Sequence, residues 1–222
     1  MLATSKPLAG AAVVPIDGLI RYCRTKNARV AKIPPRTRLF LPGADRSETF
    51  RILSGCIALF QLLPDGRRQI VDVLGPERLF GRGLADLHQC GAEALCETEV
   101  ELLTAVRRSL DIEINQAVRQ MLRRSQAHAT LLGRKTAGER IASALLDLAD
   151  QFADGGTSGF QLYLTRMDLA DWLGLTLETV SRYLNRFRRD GLIAFDSSGR
   201  MILLEPAELE RAASGREAAI AG

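Results

Sequence analysis

The stretch from Leu164 to Gly191 constrains the fold more than any other part of the sequence; it reads LTRMDLADWLGLTLETVSRYLNRFRRDG. Thr165 and Asp168 have the spacing of a capping box, in its aspartate variant, at the start of a first helix. Gly174 can end that helix in the left-handed conformation, and Thr176 can cap a second helix almost at once. Two short helices joined by so tight a glycine turn predict a helix-turn-helix.

The second predicted helix can end at Gly191 and has two different faces. Apolar residues at spacings of three, four and three predict one buried stripe, formed by Leu177, Val180, Leu184 and Phe187. Polar and charged residues lie within two turns on the opposite side: Glu178, Ser181, Arg182, Asn185 and Arg189. One interpretation of this side is a solvated face with a Glu178–Arg182 ion pair, which contributes only a few tenths of a kcal/mol.

The alternative interpretation of the polar side is DNA recognition. The first turns of a recognition helix meet base edges in the major groove. There a carboxylate accepts from the cytosine amine, arginine binds guanine through two hydrogen bonds, and serine serves either role. This interpretation predicts base reading by Glu178, Ser181 and Arg182. Contacts to the phosphates are predicted for Thr165, Thr176, Thr179, Asn185, Arg186, Arg188 and Arg189.

A hairpin is predicted directly after the helix pair. LIAFDSSGRMILL consists of two apolar runs around a polar turn, a hairpin of the kind called a wing. Arg200 stands near the tip of this hairpin, where its side chain is predicted to reach a phosphate. Helix, turn, helix and hairpin together predict a winged helix-turn-helix.

Up to about residue 104 the sequence predicts short strands. Apolar or alternating runs such as RTRLFLPG and ETFRILSGCIALFQLL are separated by Gly, Pro and Asp. LLPDGRRQIV predicts a hairpin, because Pro-Asp-Gly supplies the turn between two apolar runs. Strands at such regular spacing predict an antiparallel β-roll of the jelly-roll kind. IDGLIRYCRT predicts a short helix before it.

A long helix is predicted between the β-roll and the helix pair. From about Leu110 to Thr136, small or apolar residues alternate at spacings of four and three, as in the seam of a two-stranded coiled coil: Val118, Leu122, Ser125, Ala129 and Leu132. One interpretation is that this stripe packs only on the chain's own β-roll. A long helix with arginines on its other faces favours dimerisation through the seam, so a homodimer is predicted.

Charge and hydropathy limit the partners of the chain. Its 222 residues carry a formal charge of +4, which permits an anionic partner such as nucleic acid without requiring one. No apolar run reaches the roughly 18 residues of a membrane span, so no membrane partner is predicted. The first residues lack the apolar core of a signal peptide, so the expectation is a cytoplasmic protein with a flexible leader.

Catalytic motifs are scarce. The four cysteines form no C-x-x-C pair, and patterns such as H-E-x-x-H, G-x-S-x-G or a P-loop are not found. The chain is therefore predicted not to be an enzyme and to hold no metal. A thiol-based redox or ligand-binding enzyme and a protein-interaction module remain the alternatives from other classes.

These observations predict an α+β chain with four parts: a leader over 1–15, a β-roll sensory domain over 16–110, a dimerisation helix over 111–136 and a winged helix-turn-helix over 137–222. This order resembles the CRP/FNR superfamily of bacterial transcription regulators over nearly the whole length. LGRKTAGERIASALLDLA resembles the FNR-type link into the DNA-binding domain. In that branch a Glu-x-x-Ser-Arg motif reads TTGA-type half-sites of a palindrome. The resemblance places this motif on Glu178, Ser181 and Arg182.

The sensory half departs from the well-known members of the superfamily. The N-terminal cysteine cluster of FNR is not reproduced, because only Cys23 lies in that region. The cyclic-nucleotide cassette has Gly-Glu for the ribose and Arg-Ser for the phosphate; here Arg82 follows Gly81, and Cys90 and Gly91 stand at the Arg-Ser position. Haem ligation by His88 or Cys90 is conceivable from haem-binding members. The expectation is nonetheless a chain without a cofactor.

DGRRQIVDVLGPERLFG and GAEALCETEV resemble the FixK-like regulators, members of which bind DNA without a cofactor. The resemblance implies control by protein abundance or by thiol oxidation, and Cys23, Cys90 and Cys96 are the candidate redox residues. Cys56 lies in a strand pattern and is predicted to be a buried core residue. The implied partners are double-stranded DNA with a palindromic promoter site and RNA polymerase. A cofactor-dependent sensor with haem, an iron–sulfur cluster or a small ligand is the alternative.

Overall fold

The computed structural model of the chain describes residues 20–23, 28–44, 48–81, 88–103, 108–153 and 159–216; within these, the side chains of 20–23, 28 and 108–111 are not described. The chain divides into two compact units, Met1–Leu122 and Arg123–Gly222. In the described parts of both units, no helix has the length and hydropathy needed to cross a membrane.

The first unit is built on two antiparallel sheets, as predicted. Its strands are β1 (Ile20–Cys23), β2 (Ala28–Ile33), β3 (Arg38–Phe40), β4 (Thr49–Ser54), β5 (Ile57–Leu62), β6 (Arg68–Leu74), β7 (Leu79–Phe80), β8 (Gly91–Ala94) and β9 (Thr98–Leu103). One sheet has the order β1-β2-β9-β4-β7 and the other β3-β8-β5-β6. The predicted hairpin around Pro64 is the pair β5–β6, whose register runs from Ile57 opposite Leu74 to Leu62 opposite Arg68.

The two sheets enclose one hydrophobic core. Alternate residues of their strands face each other across it, including Ile33, Phe50, Ile52, Ile57 and Val100, all at most 1% exposed. This alternation is the period of two that half-buried strands require. Cys56 is fully buried, which confirms its predicted place in the interior.

The prediction of a short helix at IDGLIRYCRT is wrong. Ile20–Cys23 forms strand β1, which pairs with β2 from Ile20 opposite Ala31 to Cys23 opposite Ala28. A single short helix is marginal in water, whereas an added strand satisfies the backbone groups along the edge of β2. Tertiary pairing therefore outweighs the local helical pattern.

A long helix, α1 (Arg108–Arg134), follows the β-roll. It has 27 residues, and its predicted position is confirmed to within a few residues at either end. In the first unit, Arg51 of β4 binds Glu101 of β9 (Nη1 to Oε2, 3.2 Å) and Glu113 of α1. These ion pairs connect the start of α1 to one sheet of the roll.

The second unit contains the end of α1 and the remaining elements: α2 (Ala137–Phe152), β10 (Gly159–Phe160), α3 (Arg166–Leu173), α4 (Leu177–Arg189), β11 (Ile193–Phe195), β12 (Met201–Leu203) and α5 (Pro206–Ala213). Apolar residues of α2 form one buried stripe, with Ile141, Leu145 and Leu148 at 0% exposure and Ala144 at 2%. The three strands form one small sheet in the order β10-β12-β11. Helix α5 was not predicted from the sequence; Pro206 at its first position is the signal that indicates its start.

Candidate DNA-binding surface

The helix pair α3–α4 begins with the predicted capping box. Asp168 N–H donates to Thr165 Oγ1 (3.1 Å), and Thr165 N–H donates to Asp168 Oδ2 (2.9 Å). Leu164 and Leu169, which have the spacing of a hydrophobic staple around this cap, are both buried. Gly174 has φ 61° and ψ 45°, so it ends α3 in the left-handed conformation that a residue with a side chain adopts only at a cost.

Thr176 caps α4, also as predicted. Its Oγ1 accepts from Thr179 N–H (3.2 Å) and lies 3.1 Å from Thr179 Oγ1. The helix ends at Arg189, and Gly191 follows with φ 71°. Both threonines are predicted phosphate contacts, and both hydroxyls already stabilise the start of the helix. Their predicted role would add DNA binding to this structural one.

The apolar stripe of α4 is confirmed at three of its four predicted positions. Val180, Leu184 and Phe187 are at most 5% exposed. Leu177 was predicted to be buried with them, but 37% of it is exposed. It occupies the first position of α4, where the side chain points back over the turn before the helix and away from the domain core. Leu177 therefore adds an apolar side chain to the exposed start of α4.

The three predicted base-reading residues share the outer side of α4. Glu178 and Arg182 are exposed, and Ser181 is half-buried. Among the described residues Glu178 and Arg182 form no ion pair; the Arg182 guanidinium instead lies over the Tyr183 ring, 5.7 Å from its centroid. The ion pair that belongs to the solvated-face interpretation is therefore not formed. Both charged groups point to where a ligand can meet them.

Arg166, which the sequence did not single out, joins this surface. It is exposed at the first position of α3, and its Nη1 donates to Ser181 Oγ (3.3 Å). The contact spans 15 positions in the sequence, so only the folded helix pair brings the two side chains together. A basic residue directly after a helix N-cap was the available signal.

The later residues of α4 extend the basic character of the same helix. Asn185, Arg188 and Arg189 are exposed, as is Arg186, whose Nε lies 3.4 Å from Asp190 Oδ2. Surface ion pairs of this kind contribute little and exchange readily for other partners. Apart from Thr179 in the first turn, the predicted phosphate contacts of α4 thus lie towards its exposed C-terminal end.

The predicted wing is the hairpin β11–β12, in which Phe195 pairs with Met201. Asp196 Oδ1 accepts from Ser198 and from Arg200 N–H (2.9 Å) at its turn, and these bonds lower the pKa of Asp196. Arg200 differs from its predicted position at the tip: it is half-buried, and its Nη2 donates to the Gly159 carbonyl (2.8 Å). Arg200 thus connects β10 to the wing, and any phosphate contact would be a second role.

The predicted dimer seam lies on α1 with unequal exposure. Leu122 is 58% exposed, Ser125 and Ala129 are exposed, and Val118 and Leu132 are half-buried. Such exposure of a leucine next to two small residues leaves room for a second helix to approach.

The thiols of the β-roll have raised pKa values. Burial raises the pKa of Cys90, and the Asp72 carboxylate adds to the shift, while a hydrogen bond with Gln61 opposes it. Burial likewise raises the pKa of Cys96, whose Sγ lies 3.8 Å from Thr98 Oγ1. Cys56, Cys90 and Cys96 are free thiols, and the side chain of Cys23 lies outside the described residues. A protonated, partly buried thiol reacts slowly with oxidants.

The ring of His88 stacks on Phe40 with centroids 3.8 Å apart, and His88 is 4% exposed. Gly91 follows Cys90, and a Cβ at Gly91 would lie 2.5 Å from the Phe60 ring, so the position accepts no side chain. Arg82 lies outside the described residues. Where the chain is described, no three His, Cys, Asp or Glu side chains group in a way that could hold a metal ion.

Known protein families match both units. A family described as cyclic nucleotide-binding domain matches residues 30–116, and one described as Crp-like helix-turn-helix domain matches residues 139–212. The second match includes α2, the helix pair, the wing and most of α5.

Individual relatives cover most of the chain. The nitrogen fixation regulation protein FixK of Rhizobium meliloti is 32% identical, over 81% of this chain and 85% of its own length. The transcriptional activator protein FnrL of Cereibacter sphaeroides is 35% identical, over 71% of this chain and 69% of its own. The structure of FixK2 from Bradyrhizobium japonicum superposes with a TM-score of 0.73 at 31% identity and covers 83% of this chain and 96% of that one.

Proposed function

The chain belongs to the CRP/FNR family of DNA-binding transcription regulators, and from this we propose that it is a homodimer that reads a palindromic TTGA-type site through Glu178, Ser181 and Arg182. Its relatives are regulators and not enzymes. The proposal rests mainly on the two sides of α4. The apolar stripe holds the helix on its own domain, while Glu178 and Arg182 remain exposed in its first turns.

The side-chain chemistry of α4 supports two kinds of DNA contact, to bases and to phosphates. Arg182 has the donors to bind guanine through two hydrogen bonds, and the Glu178 carboxylate can accept from a cytosine amine. Leu177 beside them can contact a thymine methyl group. Phosphate contacts are assigned to the surrounding hydroxyls, amide and guanidinium groups of Thr165, Thr176, Thr179, Asn185, Arg186, Arg188, Arg189 and Arg200, to which Arg166 is added.

The homodimer is proposed from the exposed seam of α1 and from the two-fold symmetry of palindromic DNA sites. An exposed leucine next to two small residues leaves apolar surface in water, and a second copy of the chain can bury it. Two recognition helices related by a two-fold axis contact half-sites about one DNA turn apart, which is why a palindrome is expected. The proposed seam consists of Val118, Leu122, Ser125, Ala129 and Leu132.

A cyclic nucleotide does not fit the described residues of the β-roll. The phosphate would have to meet Cys90, whose raised pKa keeps the thiol neutral, with the Asp72 carboxylate nearby. A neutral thiol and a carboxylate offer none of the charge-assisted bonds that an arginine and a hydroxyl provide. We therefore propose that DNA binding needs no cyclic nucleotide, and we keep the expectation from the sequence that it needs no haem or iron–sulfur cluster.

Control of the protein then rests on its abundance or on a thiol. The raised pKa values of Cys90 and Cys96 argue against these two predicted redox residues, because oxidants attack the thiolate. Cys23 remains the thiol candidate. Activation of transcription through RNA polymerase in the bacterial cytoplasm is proposed from relatives that are named as transcriptional activators.

Binding titrations test the proposed function. The purified chain is titrated against a fluorescent TTGA palindrome and against the same duplex with both half-sites scrambled, in the same salt and without added ligand. We expect the palindrome to bind at least about 1,000-fold more tightly. Equal affinity for the two duplexes would exclude sequence-specific regulation. Binding that begins only after a cofactor is added would favour the cofactor-dependent alternative, and a visible absorption spectrum of the purified protein would identify a haem or a cluster.

A further inference from the structure

The last turns of α1 and the helix pair are connected inside the second unit by a set of side chains that base reading does not use. We call this set the α1 clasp; it consists of Arg124, His128, Arg140, Asp147 and Trp172. All five belong to the unit Arg123–Gly222, which also contains α4.

Arg140 is the centre of the clasp. Its Nη2 donates to the Leu132 carbonyl (2.7 Å), its Nη1 to the Leu173 carbonyl (3.0 Å) and its Nε to the Lys135 carbonyl (2.8 Å). Leu132 and Leu173 lie in the last turns of α1 and α3, where backbone carbonyls have no partner within the helix. One guanidinium therefore satisfies the C-terminal ends of two helices and the link to α2, and its charge is favourable at both ends.

The turn between α3 and α4 packs at the same place. A Cβ at Gly174 would lie 3.4 Å from Leu132 Cδ2 and 3.6 Å from Arg140 Nη1, so this turn rests on the end of α1. Leu132, a predicted seam residue, thus also contacts the helix pair through the guanidinium and the turn. The N-cap of α4, Thr176, lies two residues after Gly174, so the position of α4 depends on this contact.

Two further contacts join α1 to its neighbours, one to α2 and one to α3 of the helix pair. Arg124 of α1 binds Asp147 of α2 through two parallel hydrogen bonds (2.8 and 3.1 Å), and Gln151 Nε2 donates to the same carboxylate (2.9 Å). The rings of His128 on α1 and buried Trp172 on α3 lie nearly parallel with centroids 6.3 Å apart. Paired guanidinium–carboxylate bonds fix direction as well as distance.

We propose that Arg140 is a positioning residue for DNA recognition, which sets the separation of the two recognition helices in the dimer by fixing the helix pair to the end of α1. The proposal rests on the dimeric DNA binding proposed above. Ser125 and Ala129 of the seam lie on the same helical segment as the clasp, so the clasp connects the dimer axis to α4 within a few turns. Arg140 itself need not touch DNA.

Half-site spacing is the property that such a residue controls. One base pair inserted between the half-sites moves them apart by about 3.4 Å and rotates them by about 35°. A rigid connection between the seam and α4 permits tight binding at one half-site spacing and weakens binding when the spacing is one base pair shorter or longer. A looser connection accepts several spacings, while the base contacts within each half-site stay the same.

The test uses the variant Arg140→Lys, which keeps the charge but cannot reach three separated carbonyls with one ammonium. Full-length protein is titrated against palindromes whose central spacer is correct, one base pair shorter or one base pair longer, and against a duplex with one scrambled half-site. We expect the ratio of affinities for correct and altered spacers to fall by about 2- to 30-fold, the range in which residues of a coupling network act. The preference for the intact half-site over the scrambled one is expected to stay at the wild-type value. Arg134→Lys, at an exposed arginine in the last turn of α1, is the matched control and is expected to leave both ratios unchanged.

A wild-type spacer ratio in Arg140→Lys would overturn the inference. A parallel loss of half-site preference would also overturn it, since Arg140 would then act only by keeping the helix pair folded. Should thermal melting show that Arg140→Lys is unfolded at the assay temperature, Arg124→Lys is measured in the same series with the same two criteria. Failure of the wild-type protein to prefer any palindrome would instead count against the proposed function, so the two failures are distinguishable.

Discussion

At the scale of single residues, the Arg166–Ser181 contact shows how the helix pair is arranged before DNA binds. Ser181 Oγ accepts from Arg166 at 3.3 Å in an exposed position, where a hydrogen bond contributes little net free energy. Base edges or phosphates can replace this bond at small cost. On the same side of α4 the Arg182 guanidinium lies over the Tyr183 ring, a contact that restricts the group proposed to bind a base.

Replacing Arg182 by alanine removes the proposed guanine contact. We expect Arg182→Ala to weaken binding to the palindrome by about 1–3 kcal/mol per half-site and to relax the preference at one base pair, because two directed hydrogen bonds are lost. Gel-shift titrations with each base at that position measure both effects. Arg216→Ala removes the same charge from an exposed site beyond the helix pair and the wing and serves as the control. Unchanged selectivity in Arg182→Ala would refute the assignment.

Arg189 is assigned to the phosphates, so its replacement has a different signature. Arg189→Ala is expected to weaken binding to all sequences similarly and to reduce the slope of log affinity against log salt by about one per protomer, since one fewer counterion is released. Titrations between low and high salt on cognate and scrambled duplexes provide the slopes. A loss confined to one base pair would show that Arg189 reads sequence instead.

The raised pKa values of the thiols predict how their alkylation rates depend on pH. Because burial raises the pKa values of Cys90 and Cys96, less thiolate is present at neutral pH than in an unstructured thiol, and the fraction grows only as the pH rises toward the raised pKa. Alkylation by iodoacetamide is therefore expected to be slower at these residues than in a short cysteine peptide at pH 7 and to accelerate in alkaline solution. Mass spectrometry of digested samples follows each residue. Rates at pH 7 that equal or exceed those of the peptide would restore Cys90 or Cys96 as redox candidates.

At the scale of elements, the sequence predicted best where local rules and tertiary contacts agree. The capping box at Thr165, the cap at Thr176 and the left-handed Gly174 all lie where their residue types predict. These features depend on neighbours within four residues. Strand β1 and the exposure of Leu177 were missed, because both depend on which distant surface a segment meets. The Arg140 bonds were missed for the same reason, since they join residues up to 33 positions apart.

A charged residue introduced into the seam of α1 tests whether the seam forms the dimer interface. Leu122→Glu places a carboxylate where a second helix is proposed to pack, and burying it without a partner is unfavourable. We expect the dimer dissociation constant to rise by about 30-fold or more. Sedimentation equilibrium measures it. Gln120→Glu introduces the same charge at an exposed position of the same helix outside the seam and is expected to leave the dimer intact.

An unchanged dimer in Leu122→Glu would place the subunit interface elsewhere. A similar loss in Gln120→Glu would show that added negative charge on α1, and not the seam, causes dissociation.

At the scale of the whole molecule, the chain combines a β-roll with a helix-turn-helix unit whose helix α4 has an exposed polar side. The change from strands to helices near residue 104 was predictable from the sequence pattern. The boundary between the two units was not, because it lies inside α1, between Leu122 and Arg123. The two family matches, over residues 30–116 and 139–212, lie on either side of the boundary between the units. The reactivity of the thiols in the β-roll was not predictable from the sequence, because the exposure and the pKa of each thiol depend on packing.

The central claim is that a symmetric dimer reads DNA sequence through α4. Selection of bound duplexes from a random pool by the purified wild-type protein tests this claim without assuming a site. We expect enrichment of a palindrome with TTGA-type half-sites whose centres lie about one DNA turn apart. Recovery of duplexes with no shared sequence, or of a single half-site without symmetry, would contradict it.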